Sequence, residues 1–346
     1  MAWYDDEPVR GGFPDPKLVA LSGLERMQAG LRNQMPPPPT FHLFGNRLVA
    51  ASPASVTFSM PCSEWLQTDV GIYFAGVSAL VADAALGSAV LVTLGPAKVV
   101  VTSDLSFNFF RQVGVTSRQL ICRARPIEVG RTLGVAEGLV EDGEGRIVAH
   151  CTTRCFIKDL DVPPFDGELP VVDLPTYDTP DPYLRPVPDG AVKRDVYESM
   201  PFIDIIKSWK ERPLSPSAEL FALTDLGAEP GSFTTAIKAT PWMASPAGTV
   251  YGGVLAYMAD SILTGALSTT LGMDESGSIL DLKVQFVRPV WPDGREIVGD
   301  AHVTYRGKGF AAARGEMKNA DGKTVVLMTS SARVRSGTSW GSLLQE

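Results

Sequence analysis

Two aspartates stand out by their surroundings. Asp83 is the one acid in Ala75–Leu94, a run of alanine, valine, leucine and glycine, and Asp260 is the one acid in the similar run Gly252–Leu271. A carboxyl group deprived of water is pushed towards its neutral form, so its carboxylate becomes more basic than an exposed one. Such a group suits the work of a general base or of an attacking nucleophile. Each acid lies two helical turns beyond a glycine at the start of its run, Gly76 and Gly253. A helix N-terminus offers unpaired N–H groups and a partial positive charge, and a residue without Cβ lets a carbonyl come close to them. One such donor aimed at a developing oxyanion lowers a barrier by about 3 kcal/mol.

The elements holding these groups must be buried helices. The run Ala75–Leu94 has the length of a membrane span, but an acid near its middle costs roughly 2.5 to 3.5 kcal/mol in a bilayer, and a helix inside a soluble core is the better reading. The chain has 346 residues, 45% hydrophobic and 20% charged, with a net charge of −8. This is globular composition, and its acidity argues against nucleic acid as a partner. Four cysteines do not make a disulfide framework, and His42, His150 and His302 offer no metal-like spacing, so no metal is expected. The acidic opening Met1–Glu7 lacks the basic-then-apolar order of a signal peptide. A cytoplasmic protein with no membrane contact is expected.

The chain repeats itself at an offset of 177 residues. Without a gap, Leu43-Phe44 falls on Leu220-Phe221, Trp65 on Trp242 and Gly71 on Gly248. Gly76-Val77 falls on Gly253-Val254, Ala82-Asp83 on Ala259-Asp260, Asp104-Leu105 on Asp281-Leu282 and Arg111 on Arg288. Two copies of one module are implied. The expected layout is an N-terminal helix and first module over 1–158, a connector over 159–194, a helix and second module over 195–336, and a tail over 337–346. The connector is proline-rich, from Pro163 to Pro188, and reads as extended chain.

Within each copy the hydrophobic period changes in a fixed order. A helix is predicted over Leu18–Gln34 and over Val196–Glu211, each ending at prolines: Pro36–Pro39 in the first copy, Pro213 and Pro216 in the second. Strands follow at Ala54–Met60 and Ser232–Lys238, then the apolar helices. Four alternating stretches complete each copy: Val99–Phe110, Ser117–Glu128, Thr132–Glu141 and Ile147–Ile157, then Ile279–Val287, Glu296–Tyr305, Phe310–Lys318 and Thr324–Val334. One strand, a buried helix and four antiparallel strands make an α+β module whose sheet curls around the helix.

That order and these motifs resemble the hotdog fold, and within it the PaaI-like acyl-CoA thioesterases. Members of that family read Asn-Pro-x-Gly-x-x-His-Gly-Gly, then an apolar helix with an aspartate nine residues after the histidine. The second copy reads Ser245-Pro246-Ala247-Gly248-Thr249-Val250-Tyr251-Gly252-Gly253, then Asp260. The first reads Thr68-Asp69-Val70-Gly71-Ile72-Tyr73-Phe74-Ala75-Gly76, then Asp83. Both keep the glycine and the aspartate. Both depart at the family's asparagine (Thr68, Ser245) and histidine (Phe74, Tyr251).

The resemblance implies a tandem hotdog chain forming its own pseudodimer, which hydrolyses an acyl-CoA or related thioester without a cofactor. It implies composite sites, a helix-start glycine from one module facing an acid from the other. One site pairs Gly253 with Asp83, the other Gly76 with Asp260. Relatives place a hydroxyl on the following strand to orient water; Thr102 stands there in the first copy and Ile279 in the second. Asp83, Thr102 and Gly253 are therefore expected to form the working site, with Ser245, Tyr251 and Gly252 lining it. Thr68 and Phe74 would line the weaker one. Arg111, Arg131, Arg288, Arg306 and Lys308 are candidates for CoA phosphates. A non-catalytic acyl-binding protein is the competing reading, and a hydratase or dehydratase a third, disfavoured because no histidine lies near either acid. A homodimer of the double chains is expected by the same resemblance.

Overall fold

A computed structural model describes residues 3–165, 167–169, 172–173, 175–192, 200–208 and 215–337. The helices are α1 (Trp3–Asp6), α2 (Gly23–Leu31), α3 (Pro39–Phe44), α4 (Val77–Leu91), α5 (Phe202–Ser208), α6 (Pro216–Leu220) and α7 (Gly252–Ser268). The first half carries strands β1 (Arg47–Ser52), β2 (Ser55–Pro61), β3 (Lys98–Phe109), β4 (Gln119–Val129), β5 (Leu133–Asp142) and β6 (Ile147–Asp159). The second carries β7 (Leu223–Glu229), β8 (Ser232–Lys238), β9 (Glu275–Phe286), β10 (Glu296–Arg306), β11 (Phe310–Lys318) and β12 (Thr324–Ser336). All twelve join one sheet, in the order β1-β2-β4-β5-β6-β3-β9-β12-β11-β10-β8-β7. Each half is a hotdog repeat: a long helix, apolar on nearly every side, wrapped by its own strands.

The halves are stitched through β3 and β9, which pair antiparallel from Asp104↔Gln285 to Asn108↔Asp281. Beneath the seam α4 packs against α7, and a continuous apolar core runs through both modules, including Leu80, Leu86, Val254, Tyr257 and Met258. Trp65 and Trp242 are both buried in it.

The structure departs from the sequence reading at the module edges. Two strands, not one, precede each central helix. The added strands, β1 and β7, are the sheet's outer edges, and their burial follows no clean alternation, so period-2 patterning does not reveal them. The helix expected over Leu18–Gln34 is two pieces. A 3₁₀ turn at Pro16–Ala20 ends at Leu21, and α2 starts afresh from a capping box in which the Ser22 and Glu25 side chains bond each other's backbone N–H. Of the helix expected over Val196–Glu211, residues 202–208 are helical, while 196–199 and 209–211 lie outside the described residues, as do Pro170, Pro213 and most of the 337–346 tail.

The connector is fastened to the first module. Tyr183 is buried, its carbonyl accepting from the Ser63 hydroxyl at 2.5 Å, and the Trp65 indole donates to the Arg185 carbonyl at 2.8 Å. Asp181 accepts from Arg10 at 2.8 Å and contacts His42 at 3.1 Å.

Candidate functional site

The loops that enter the central helices fold alike. The Thr68 amide donates to the Ile72 carbonyl at 2.7 Å and the Ser245 amide to the Thr249 carbonyl at 2.7 Å. Gly71 and Gly248 turn the chain at φ 79° and 77°, a region glycine enters without steric cost. These loops deliver Gly76 and Gly253 to the helix starts, each pointing at the other module.

At the first junction the Gly253 N–H donates to Asp83 Oδ2 at 2.8 Å, and the Thr102 hydroxyl donates to Asp83 Oδ1 at 3.2 Å. Asp83 is 6% exposed. Burial pushes its carboxyl up to about 6, against the opposing pull of these two hydrogen bonds. The positive end of α7 faces the carboxylate. Gly252 is packed close, since a Cβ there would sit 2.8 Å from Asp83 Oδ2.

Tyr251 reaches into α4 itself. Its hydroxyl accepts from the Ala84 N–H at 2.7 Å and donates to the Leu80 carbonyl at 3.0 Å. Those are the two groups an ordinary α-helical turn would pair with each other, so the phenol is inserted into the ladder beside Asp83. The Asn46 side-chain amide also donates to the Leu80 carbonyl, at 3.1 Å. Tyr251 was expected to line the site; the structure gives its hydroxyl to the helix that carries the acid. Ser245 keeps its hydroxyl within its own loop, against Thr249 Oγ1 at 3.3 Å.

The second junction mirrors the first with different chemistry. The Gly76 N–H donates to Asp260 Oδ2 at 2.6 Å. The other carboxylate oxygen accepts from Thr264, one turn along the same helix, at 3.1 Å. Asp260 has 0% exposure, and burial pushes its carboxyl up to about 6. Phe74 stands where Tyr251 stands in the other copy and stacks edge-on against Tyr257, ring centres 5.9 Å apart. Thr68 is buried with its hydroxyl unpaired. A cavity of about 630 Å³ adjoins this junction, bounded by Phe74, Ala75, Ser261, Thr264, Ile279 and Arg333 among others.

Thr102 and Ile279 both sit at β-bulges, where the register of β3 slips between Thr102 and Asp104 and that of β9 between Ile279 and Asp281. A bulge re-aims a side chain out of the plain alternation. In the first copy the re-aimed residue bears a hydroxyl that reaches Asp83, while Ile279 packs against the apolar cluster of Leu267, Leu271, Ala332 and Val334 in its own module.

The basic candidates are partly spoken for. Arg111 donates to the Ile147 carbonyl and Arg288 to the Thr324 carbonyl, the same contact in each repeat. Arg306 pairs with Glu275 at 2.6 Å. The histidines make their contacts elsewhere: His42 with Asp181, His150 with Glu137 at 3.6 Å, and His302 with Arg314 at 2.9 Å. Among the described residues no group of three or more His, Cys, Asp or Glu side chains could hold a metal ion. None of their helices is long and apolar enough to cross a membrane.

Sequence reasoning missed Leu80, Ala84 and Asn46, because insertion into a helix ladder leaves no pattern in the sequence. It also missed Thr264, although a hydroxyl four residues after an acid on a helix is a readable signal.

The thioesterase superfamily profile matches residues 70–149 and again 247–326, the two stretches starting one repeat offset apart. The match to the thioesterase superfamily thus recurs once in each module. The tandem chain is similar in fold to a tesB protein of Mycobacterium avium subspecies paratuberculosis. That structure is 15% identical, the match covering 90% of this chain and 99% of that one at a TM-score of 0.52. Acyl-CoA thioesterase II TesB2 of Mycobacterium marinum is 13% identical, covering 86% and 97%, at a TM-score of 0.50. The PaaI protein of E. coli matches 38% of this chain and 91% of its own, 20% identical, at a TM-score of 0.34. No curated protein sequence matches the tandem chain.

Proposed function

We propose that this chain hydrolyses acyl-CoA or a closely related acyl thioester at the first junction. The observation that carries the reading is the contact between Asp83 of one module and the Gly253 amide of the other, with Asp83 ionising near pH 6. A thioester carbonyl oxygen arriving at the start of α7 takes the Gly253 N–H as its donor, releasing the carboxylate that holds it in the unliganded chain. Asp83 then accepts a proton from a water steadied by Thr102. The resulting hydroxide attacks the carbonyl carbon, and the oxyanion is held at the helix start. As the C–S bond breaks, the proton on Asp83 passes to the departing thiolate, leaving a carboxylic acid and free thiol.

The likeness in fold to the acyl-CoA thioesterase of Mycobacterium marinum supports the substrate class, and Thr102 supports this junction over its twin. The test is thiol release from a panel of acyl-CoAs by the wild type and by the Asp83→Asn and Asp260→Asn variants. Release that survives Asp83→Asn and disappears with Asp260→Asn would reverse the assignment. Tight binding of every acyl-CoA with no release would make the chain an acyl-binding protein.

A further inference from the structure

The cavity at the second junction reaches the neighbours of the Gly76–Asp260 contact but not the contact itself. Ala75, Ser261 and Thr264 bound it, while Asp260 has no exposed surface and no hydroxyl stands at Ile279. A base that neither water nor ester can touch does no hydrolysis. About 630 Å³ is nevertheless ample for a small molecule, since ligand sites run from roughly 300 to 1,000 Å³.

Two polar side chains bounding this space have no partner among the described residues. The Thr68 Oγ1 is buried and makes no hydrogen bond. A buried hydroxyl left unpaired costs roughly 1 to 3 kcal/mol, which a ligand's acceptor oxygen would recover. The Arg333 side chain makes no hydrogen bond or ion pair among the described residues. The other three cations are occupied: Arg146 by Asp142 and Glu144, Arg111 by the Ile147 carbonyl, and Arg335 by an interaction of its own. Three acids, Asp69, Asp142 and Asp225, also border the cavity, Asp142 being paired with Arg146. Burial pushes the Asp225 carboxyl up to about 7, which thins its negative charge near neutral pH. Between these groups the walls are aromatic, with Phe74, Phe109, Phe202 and Phe233.

We propose that the second junction is a non-hydrolytic binding site for an amphipathic carboxylate, its hydrocarbon against the phenylalanines, an oxygen accepting from Thr68 and its charge met by Arg333. The duplicated site has kept its space and lost its access to the acid. This assignment does not rest on hydrolysis at Asp83.

The test is calorimetric titration of decanoate into the full-length Asp83→Asn protein, where no turnover at the first junction intrudes. In that background Arg333→Gln and Thr68→Val each weaken decanoate by about tenfold. 1-Decanol, the same chain without the charge, loses affinity with Thr68→Val but not with Arg333→Gln. Arg333 is exposed, so its replacement leaves the fold intact even if Thr68→Val does not. Decanoate binding unmoved by Arg333→Gln, or no binding at millimolar concentrations, overturns the proposal. Hydrolysis is not read in this titration, so either result leaves the reading of Asp83 where it stood.

Discussion

Thr102 and Ile279 occupy the same β-bulge in the two halves, and the hydroxyl present at one and missing at the other separates two otherwise matching junctions. Each junction has a carboxylate bonded to the opposite helix start, at 2.8 Å in one and 2.6 Å in the other. The differences lie in what else touches the acid and whether solvent reaches it.

Asp83→Asn removes the proposed base while keeping the side chain's shape. Steady-state assays should show kcat reduced by about 10²- to 10⁴-fold, the range for general-base loss. Binding of a non-hydrolysable acyl-CoA analogue should be nearly unchanged.

The pH profile of kcat/KM should rise through about pH 6 and level off above it, because the base works only when ionised and burial holds the Asp83 carboxyl at about 6. A rising limb centred near pH 4 would mean that an exposed carboxylate is the base.

Stability should respond to Asp260 in the opposite sense. Its carboxyl is held at about 6 in the fold against an ordinary 3.8. The stability it contributes is full below the unfolded value and is lost as pH rises through the folded one. Two pH units correspond to about 3 kcal/mol. Relative to Asp260→Asn, the wild type should therefore lose on the order of 3 kcal/mol between about pH 3.5 and pH 7.5, read from urea unfolding midpoints. Asp83 titrates in both proteins and drops out of the difference.

Tyr251→Phe deletes the oxygen inserted between Leu80 and Ala84 and lets that helical turn close on itself. The prediction is a fall of about tenfold in kcat with KM little changed, since the substrate's own contacts remain. Because the acid moves relative to Gly253, the midpoint of the pH profile should shift too; a changed melting temperature with an unchanged profile would reduce Tyr251 to packing.

Gly253→Ala places a Cβ 2.5 Å from the Ala79 carbonyl oxygen and 2.5 Å from the Tyr251 ring. Backbone must give way, at a cost of about 1 to 3 kcal/mol. Thermal unfolding should show that loss, and kcat should fall with it as the amide withdraws from its position.

The central features were legible because they are periodic or repeated. The 177-residue offset aligns Gly76 with Gly253 and Asp83 with Asp260, and twofold alternation marks strands such as β8 and β11, found over the same residues that the pattern predicted. Edge strands β1 and β7 lack that signal because neither face is consistently covered. Tyr251 was legible as a departure from a family motif but not as a helix insert, since its partners lie 167 and 171 positions away. Arg333 showed nothing in sequence, because being unpaired is a property of what surrounds a residue.

The two modules belong to one chain, and the pairing of β3 with β9 joins them across the seam. In a dimer of identical chains, one substitution changes both catalytic pockets at once. Here each half answers to its own stretch of code, so one pocket is free to change while its sibling stays as it is.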